Sequence, residues 1–382
     1  MAGDRRSPAV WAAALERALA DLAAVAPLDR AEAVAVDGTS GTVLALGADD
    51  APLGDALMYD DAVDDPAIPA AIAARAARES AAHGASSGLA RAMILARRPG
   101  VRRIVHQADW IASLFSGLLA SDESNALKTG YDPVARRWPD WLPHVIDPAL
   151  LPEVHQCGAV AGRVTRAAAR RFGLAEGALV VAGVTDGCAS FLATGADRPG
   201  DGVTALGTTL TLKLLSDRPV FAPENGVYSH RIGDVWLAGG ASNSGGGALA
   251  QHFDAARIAA LSARIDPDAD SGLDYYPLPR PGERFPVADP TLPPRLSPRP
   301  DDDARFLHGL LEGIARIEAL GYRRLAALGA PPLARLRTVG GGAANATWTA
   351  MRARILGAPA APAASEEAAV GVARLAQAAL RA

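Results

Sequence analysis

Apolar and polar positions along this chain alternate between two periods. Trp11, Leu15, Leu19 and Leu22 recur at helical spacing and predict a helix ending before Pro27. Residues 33–46, AVAVDGTSGTVLAL, read as an apolar strand, a polar turn and a second apolar strand. Residues 66–82 are alanine-rich, with Arg75, Arg78 and Glu79 on one face, and predict a helix. A further helix is expected over 86–100, with Ser86 or Ser87 as its N-cap and Pro99-Gly100 as its stop. Residues 101–117 read as a short strand running into a helix, and SDESNALKTGYDP, 121–133, as a polar loop. LVVAGVTDGCASFLATGA, 179–196, is a buried strand that breaks at Thr185-Asp186-Gly187 and continues as a helix.

The pattern changes near Arg198-Pro199-Gly200. Two strands, VTAL and LTLKLL, are joined at Gly207-Thr208-Thr209; in 235–253 a strand meets a Gly/Ser-rich turn before a helix. Residues 271–300 are proline-heavy and irregular, an excursion long enough to suggest function or a packed surface loop. Phe306–Leu328 forms a long helix, its N-terminus marked by Asp301-Asp302-Asp303. Residues 336–357 are strand, triple glycine and helix, and 365–382 a closing helix with Ser365 as N-cap. Strands alternating with helices predict an α/β protein, drawn as two lobes with a cleft between them.

Composition narrows the classes. A chain of 382 residues is expected to form two domains or three, and 49% hydrophobic with 21% charged residues is a globular balance. Net charge is −4 and no block of Lys and Arg tracks a phosphodiester backbone, so nucleic acid is not an expected partner. No uncharged apolar stretch reaches membrane-spanning length, and the start of the chain lacks the design of a secretion signal. Cys157 and Cys188, the two cysteines, are too few for a disulfide framework and suit a reducing cytoplasm. The seven histidines show no zinc-binding spacing, and no metal ligands are assigned.

Three elements of the second half could bind an anion through bare backbone. They are Gly207-Thr208-Thr209, Gly245-Gly246-Gly247 and Gly340-Gly341-Gly342. None is a Walker A loop or a G-x-G-x-x-G fingerprint, and each alone reads equally as a tight turn. Together they favour a nucleotide held by backbone. Asp186, where a strand ends and a helix begins, is the sharpest single candidate, as a helix cap, a catalytic carboxylate or both. Trp348 could flank a base or belong to the core.

In order along the chain, VDGTSGT, QADWIASLFSG, SDESNALKTGYDP, GVTDG, ALGTTLTLKLLS, GGASNSGG, SGLDYYPLPRPGERFP and TVGGGAANATW resemble the FGGY carbohydrate kinases, closest to their short D-ribulose-kinase-like branch. The resemblance covers residues 9–380. It implies two actin-like lobes of ribonuclease-H type with an interlobe cleft: 1–196 plus 370–382 on the sugar side, and 197–369 on the nucleotide side. It further implies ATP-dependent phosphorylation of a ketopentose such as D-ribulose or D-xylulose, with ATP and Mg²⁺ as cofactors. By the resemblance Asp186 is the general base; Ser40, Asp186 and Gly187 border the sugar. Gly207, Thr208, Gly245, Gly246, Gly341, Gly342 and Asn345 meet the nucleotide.

Two departures accompany the resemblance. The family's D-x-G-T phosphate hairpin is not the 33–46 element, where Asp37 abuts Gly38, so that hairpin is expected upstream of Met1 and the first lobe to be truncated. Gly187 stands where this branch carries a serine. A non-catalytic homologue that binds nucleotide or sugar is the alternative, and an actin-like ATPase switch a third reading.

Overall fold

The computed structural model describes residues 4–381; Met1–Gly3 and Ala382, counted above in the first lobe, lie outside the described residues. The chain divides into two compact units. The first holds residues up to Ala193, His230–Gly233 and residues from Glu367 onward; the second holds Thr194–Ser229 and Asp234–Glu366.

In the first unit the strands are β1 (Ala33–Gly38), β2 (Val43–Leu46), β3 (Arg103–His106), β4 (Ala120–Asp122), β5 (Glu153–His155), β6 (Val160–Arg163) and β7 (Leu179–Thr185). β7 is central to its sheet, with β1 parallel on one side and β6 antiparallel on the other. Its sequence explains the place, because LVVAGVT is buried beyond its first residue, as a strand covered on both faces must be. Gly183 marks a bulge. The register slips between Ala35 and Asp37, and a Cβ on Gly183 would lie 1.8 Å from the Val36 carbonyl oxygen. The 33–46 element is therefore two strands in different sheets rather than a hairpin, since β2 pairs with β3.

The helices Gly88–Leu95, Gln107–Ser116 and Asp186–Ala193 follow the expected pattern, and Ser87 caps the first by accepting the Ala90 amide at 3.0 Å. Three expectations are corrected. The helix expected over 66–82 is confined to Ala67–Ala73; Ile68 and Ile72 are its buried anchors, and beyond them only alanines, charged residues and Ser80 remain. The closing helix runs Ala368–Ala379 with Glu367, not Ser365, at the N-cap position. Glu366 beside it instead accepts the Gly340 amide at 3.0 Å. The supposed polar loop at 121–133 contains the end of β4 and a helical turn, Glu123–Ala126, and Ser121, Asp122, Glu123, Ser124 and Asn125 are all buried.

The second unit carries β8 (Asp201–Leu206), β9 (Leu210–Ser216), β11 (Val235–Ser242) and β12 (Arg335–Val339), in the order β11-β9-β8-β12, while β10 (Tyr228–Ile232) begins in the second unit and ends in the first. β9 runs antiparallel to β8 and β11, and β12 parallel to β8, so β8, β11 and β12 end at the same edge. The helix Asp303–Ala327 packs on this sheet, its N-terminus capped by Asp302, which accepts the Ala304 amide at 3.1 Å. Leu212, Leu214, Leu307, Leu310 and Ile314 are fully buried in the resulting core. A charged fork crosses it. Arg352 Nε and Nη2 each donate to Glu318 at 2.6 Å, and Thr204 Oγ1 donates to the same carboxylate at 2.6 Å.

Candidate functional site

Each unit presents a polar edge where strands end. In the first, β1 and β7 run parallel, and Gly38 stands in register with Thr185. The residues that follow, Thr39-Ser40 on one strand and Asp186-Gly187 on the other, therefore leave the sheet side by side. Carboxyl ends of parallel strands collect functional groups because helices begin there and side chains are released from the ladder. Asp186 is exposed, opens the helix Asp186–Ala193 and accepts the Gly187 amide at 2.6 Å. It stands in the first turn of that helix while its carboxylate reaches solvent.

The turn after β1 is held by hydroxyls and by one arginine. Thr39 Oγ1 and Thr42 Oγ1 are 2.6 Å apart, Thr39 donates to Gln107 Oε1, and Thr42 Oγ1 accepts the Tyr59 amide at 3.1 Å. Ser40 Oγ has no partner within the protein. Gly41 has φ +85°, in the left-handed region, and its carbonyl accepts Arg91 Nε at 3.0 Å. Arg91 is fully buried, and its Nη1 also donates to the carbonyls of Tyr59, Asp61 and Ser86. Burial pulls its pKa down to about 10, against the fields of Asp61 and Asp60. One guanidinium thus pins three loops around Ser40.

Beneath this edge lies a buried polar network. Ser124 Oγ lies 3.1 Å from Thr185 Oγ1 and 3.0 Å from His230 Nδ1. Asp122 accepts the amides of Ser124 and Asn125 and the Asn125 side chain. His106 Nδ1 is 2.7 Å from Asp109 and 3.0 Å from Ser121 Oγ, and Nε2 is 2.8 Å from Thr129 Oγ1. Burial, then the charge of Asp109, pushes Asp122 up to about 7. Burial opposes a charge on His106, but the field and hydrogen bond of Asp109 overcome it and raise its pKa.

Sequence reasoning overlooked Asp37. It stands one residue before the end of β1, and its pKa is raised by burial and then by the charge of Asp186. The signal was present in VDG, but only the strand register reveals that the two carboxylates share an edge. Glu123, also overlooked, is buried with Arg136 Nε at 2.9 Å, and burial raises its pKa against that cation.

In the second unit the three glycine segments converge at the edge where β8, β11 and β12 end. The Gly246 amide donates to Gly207 O at 2.8 Å, and the Gly247 amide to Thr208 O at 2.9 Å. Gly245 has φ +135°, and a Cβ there would sit 2.9 Å from the Leu210 amide nitrogen, so glycine is required. A Cβ on Gly342 would press on Leu206 and Trp348. The proline-heavy segment braces this edge. Glu283 accepts Ser242 Oγ at 2.5 Å and the Asn243 amide at 2.7 Å, and Ser244 Oγ donates to Pro277 O at 2.5 Å.

Beside these turns is a cavity of about 510 Å³, within the range of small-molecule sites. Gly246, Gly341, Gly342 and Asn345 line it; Gly207, Thr208 and Gly245 stand next to it, bonded into the same turn system. Asn345 caps the helix Ala346–Leu356 by accepting the Trp348 amide at 3.0 Å. Trp348 belongs to the core, only 3% exposed with Nε1 donating to Leu311 O at 3.1 Å, and also lines the cavity. Among the described residues no group of three or more His, Cys, Asp or Glu side chains could hold a metal ion, and no helix is long and apolar enough to cross a membrane.

Residues 202–380 match the C-terminal domain of the FGGY family of carbohydrate kinases. The chain is 39% identical over 134 residues to the autoinducer-2 kinase of Enterobacter sp. (strain 638), a match spanning 32% of this chain and only 25% of that relative. The fold superposes on a xylulose kinase from Rhodospirillum rubrum with a TM-score of 0.83 and 24% identity, covering 97% of this chain and 80% of that one. A gluconate kinase from Lactobacillus acidophilus gives 0.82 at 17% identity, covering 98% and 80%. The mixed α/β fold is therefore that of the sugar kinases with two actin-like lobes.

Proposed function

We propose that this chain is an ATP-dependent carbohydrate kinase, related to the D-ribulose-kinase-like branch, that phosphorylates a ketopentose such as D-ribulose or D-xylulose. The observation that carries the reading is the strand-end carboxylate of Asp186 beside Ser40, in a chain whose second unit matches a carbohydrate-kinase domain. The substrates for which the relatives are named, autoinducer-2, xylulose and gluconate, support a small polyhydroxylated acceptor.

In this reading the first unit takes the sugar and the second the nucleotide. Ser40, whose hydroxyl has no partner in the protein, and the Gly187 backbone border the sugar. Asp186 accepts the proton of the attacking hydroxyl as its oxygen bonds to the γ-phosphorus and the bond to the β-phosphate oxygen breaks, leaving ADP. Thr208 and the glycine turns meet the phosphates, and Gly341, Gly342 and Asn345 the nucleoside. Asp37, whose pKa is raised by burial and then by the charge of Asp186, is the residue that would hold Mg²⁺, since a cation there relieves the repulsion between the two carboxylates. When bound the cation would neutralise phosphate charge. The protein's own task is to orient the hydroxyl and receive its proton.

A coupled ADP-release assay with D-ribulose, D-xylulose and gluconate tests the proposal. Sugar-dependent turnover with a ketopentose preferred supports it. Nucleotide binding without turnover on any sugar would instead identify a binding protein, and sugar-independent hydrolysis an ATPase switch.

A further inference from the structure

The walls of the 510 Å³ cavity bear on which nucleotide it takes, given the kinase reading. We infer that this cavity holds its nucleotide by shape and by the phosphates without reading the Watson–Crick edge of the base, so that it accepts guanine and hypoxanthine nucleotides beside adenine nucleotides, with no more than the weak preference shape alone gives.

Adenine offers an amino donor where guanine offers a carbonyl acceptor, and a protein that tells them apart needs polar groups aimed at that difference. The side-chain groups lining this cavity are largely committed elsewhere. Asn345 Oδ1 accepts the Trp348 amide at 3.0 Å, and Asn345 Nδ2 donates to Ser262 Oγ at 2.8 Å. The helix cap fixes which end of the amide is oxygen, so the amide cannot turn over to suit another base. Thr347 Oγ1 donates to the Ser262 carbonyl at 3.1 Å. The indole N–H of Trp348 is spent on Leu311 O. Ser262 retains a hydroxyl proton, but a hydroxyl can serve as donor or acceptor and so tolerates either base.

The rest of the wall is apolar, with Leu249, Ile258 and Ala259 among its side chains, and no lining residue carries a charge. There is thus no carboxylate to capture the two donors of a guanine edge and no side-chain acceptor reserved for the adenine amino group. The Ala343 and Asn345 amides are likewise engaged, with the Gly340 and Gly342 carbonyls. An apolar pocket rejects a similarly shaped competitor only weakly, by about a hundredfold at most, whereas a site built to hydrogen-bond a group rejects the analogue lacking it by about ten-thousandfold or more.

The test is equilibrium binding of fluorescent N-methylanthraniloyl ADP, GDP and IDP to the full chain, followed by kcat/KM with ATP, GTP and ITP. The inference expects all three bases within about a hundredfold of one another in both measurements. Normal ADP binding with guanine and hypoxanthine nucleotides excluded by a larger factor overturns it and leaves the kinase reading standing. Failure of every nucleotide to bind overturns both. Ile258→Glu, which places a charge on the apolar wall, is expected to weaken all three about equally. Asn345→Ala and Thr347→Val are expected to leave the ratio between bases unchanged; a shift in that ratio of more than about tenfold in either variant, with folding verified by thermal melt, means the side chain reads the base and overturns the inference.

Discussion

At the ends of β1 and β7 the first unit displays side chains: a carboxylate, a free hydroxyl, and below them a buried set of acids, hydroxyls, a histidine and an arginine. At the ends of β8, β11 and β12 the second unit displays the absence of side chains, with glycines packed so closely that a methyl added at Gly245 or Gly246 would strike backbone. The first edge is made by what the residues carry and the second by what they lack. A hydroxyl is oriented and deprotonated by groups with direction and charge, whereas a polyphosphate is held by close-packed amides. The two edges should therefore break under opposite kinds of substitution.

The largest effect is expected from removing a side chain in the first unit. Arg91→Met leaves the carbonyls of Gly41, Tyr59, Asp61 and Ser86 without their donor and should cost about 3 kcal/mol or more, read by chemical denaturation. In surviving protein it should raise KM for the sugar while leaving nucleotide affinity unchanged. Next comes adding a side chain in the second unit. Gly245→Ala, strained at φ +135° and pressed against the Leu210 amide, should cost about 2 kcal/mol and weaken nucleotide binding, measured by calorimetry, without altering sugar affinity. If either variant damages both ligands equally, the division of labour fails.

A pH effect is expected from the first unit. Burial moves Asp122 from an ordinary 3.8 to about 7, so the folded state holds the proton more tightly than the unfolded state. Its contribution to stability is then full below about pH 4 and is lost as pH rises through about 7; His106, raised also, acts in the same direction. Melting temperature should fall between about pH 4 and 7, and Asp122→Asn should flatten that slope. The smallest effect is Ser87→Ala, which removes one helix cap and should cost about 1 kcal/mol in the same denaturation assay.

The strand-to-helix junctions were legible in the sequence. LVVAGVTDG and LRTVGGG each announce a buried strand by an apolar run and its end by residues that suit a turn, and the structure follows both. The polar run SDESN misled, because a segment whose polar groups satisfy one another has the composition of a solvated loop yet lies in the interior. Asp37 escaped for a different reason. Nothing local to VDG says which strand lies beside it, and its pairing with β7 spans well over a hundred residues of sequence. The three glycine turns share a form that the sequence shows, but only the common direction of β8, β11 and β12 brings them to one edge.

The proposal stands or falls with Asp186 as the base of a sugar kinase whose nucleotide is held elsewhere in the chain. Its most direct test is ketopentose-dependent ADP production by Asp186→Asn, measured beside nucleotide affinity in the same preparation. A loss of turnover of about 10²–10⁴-fold with nucleotide binding unchanged is expected. Turnover retained at the unmodified level would contradict it.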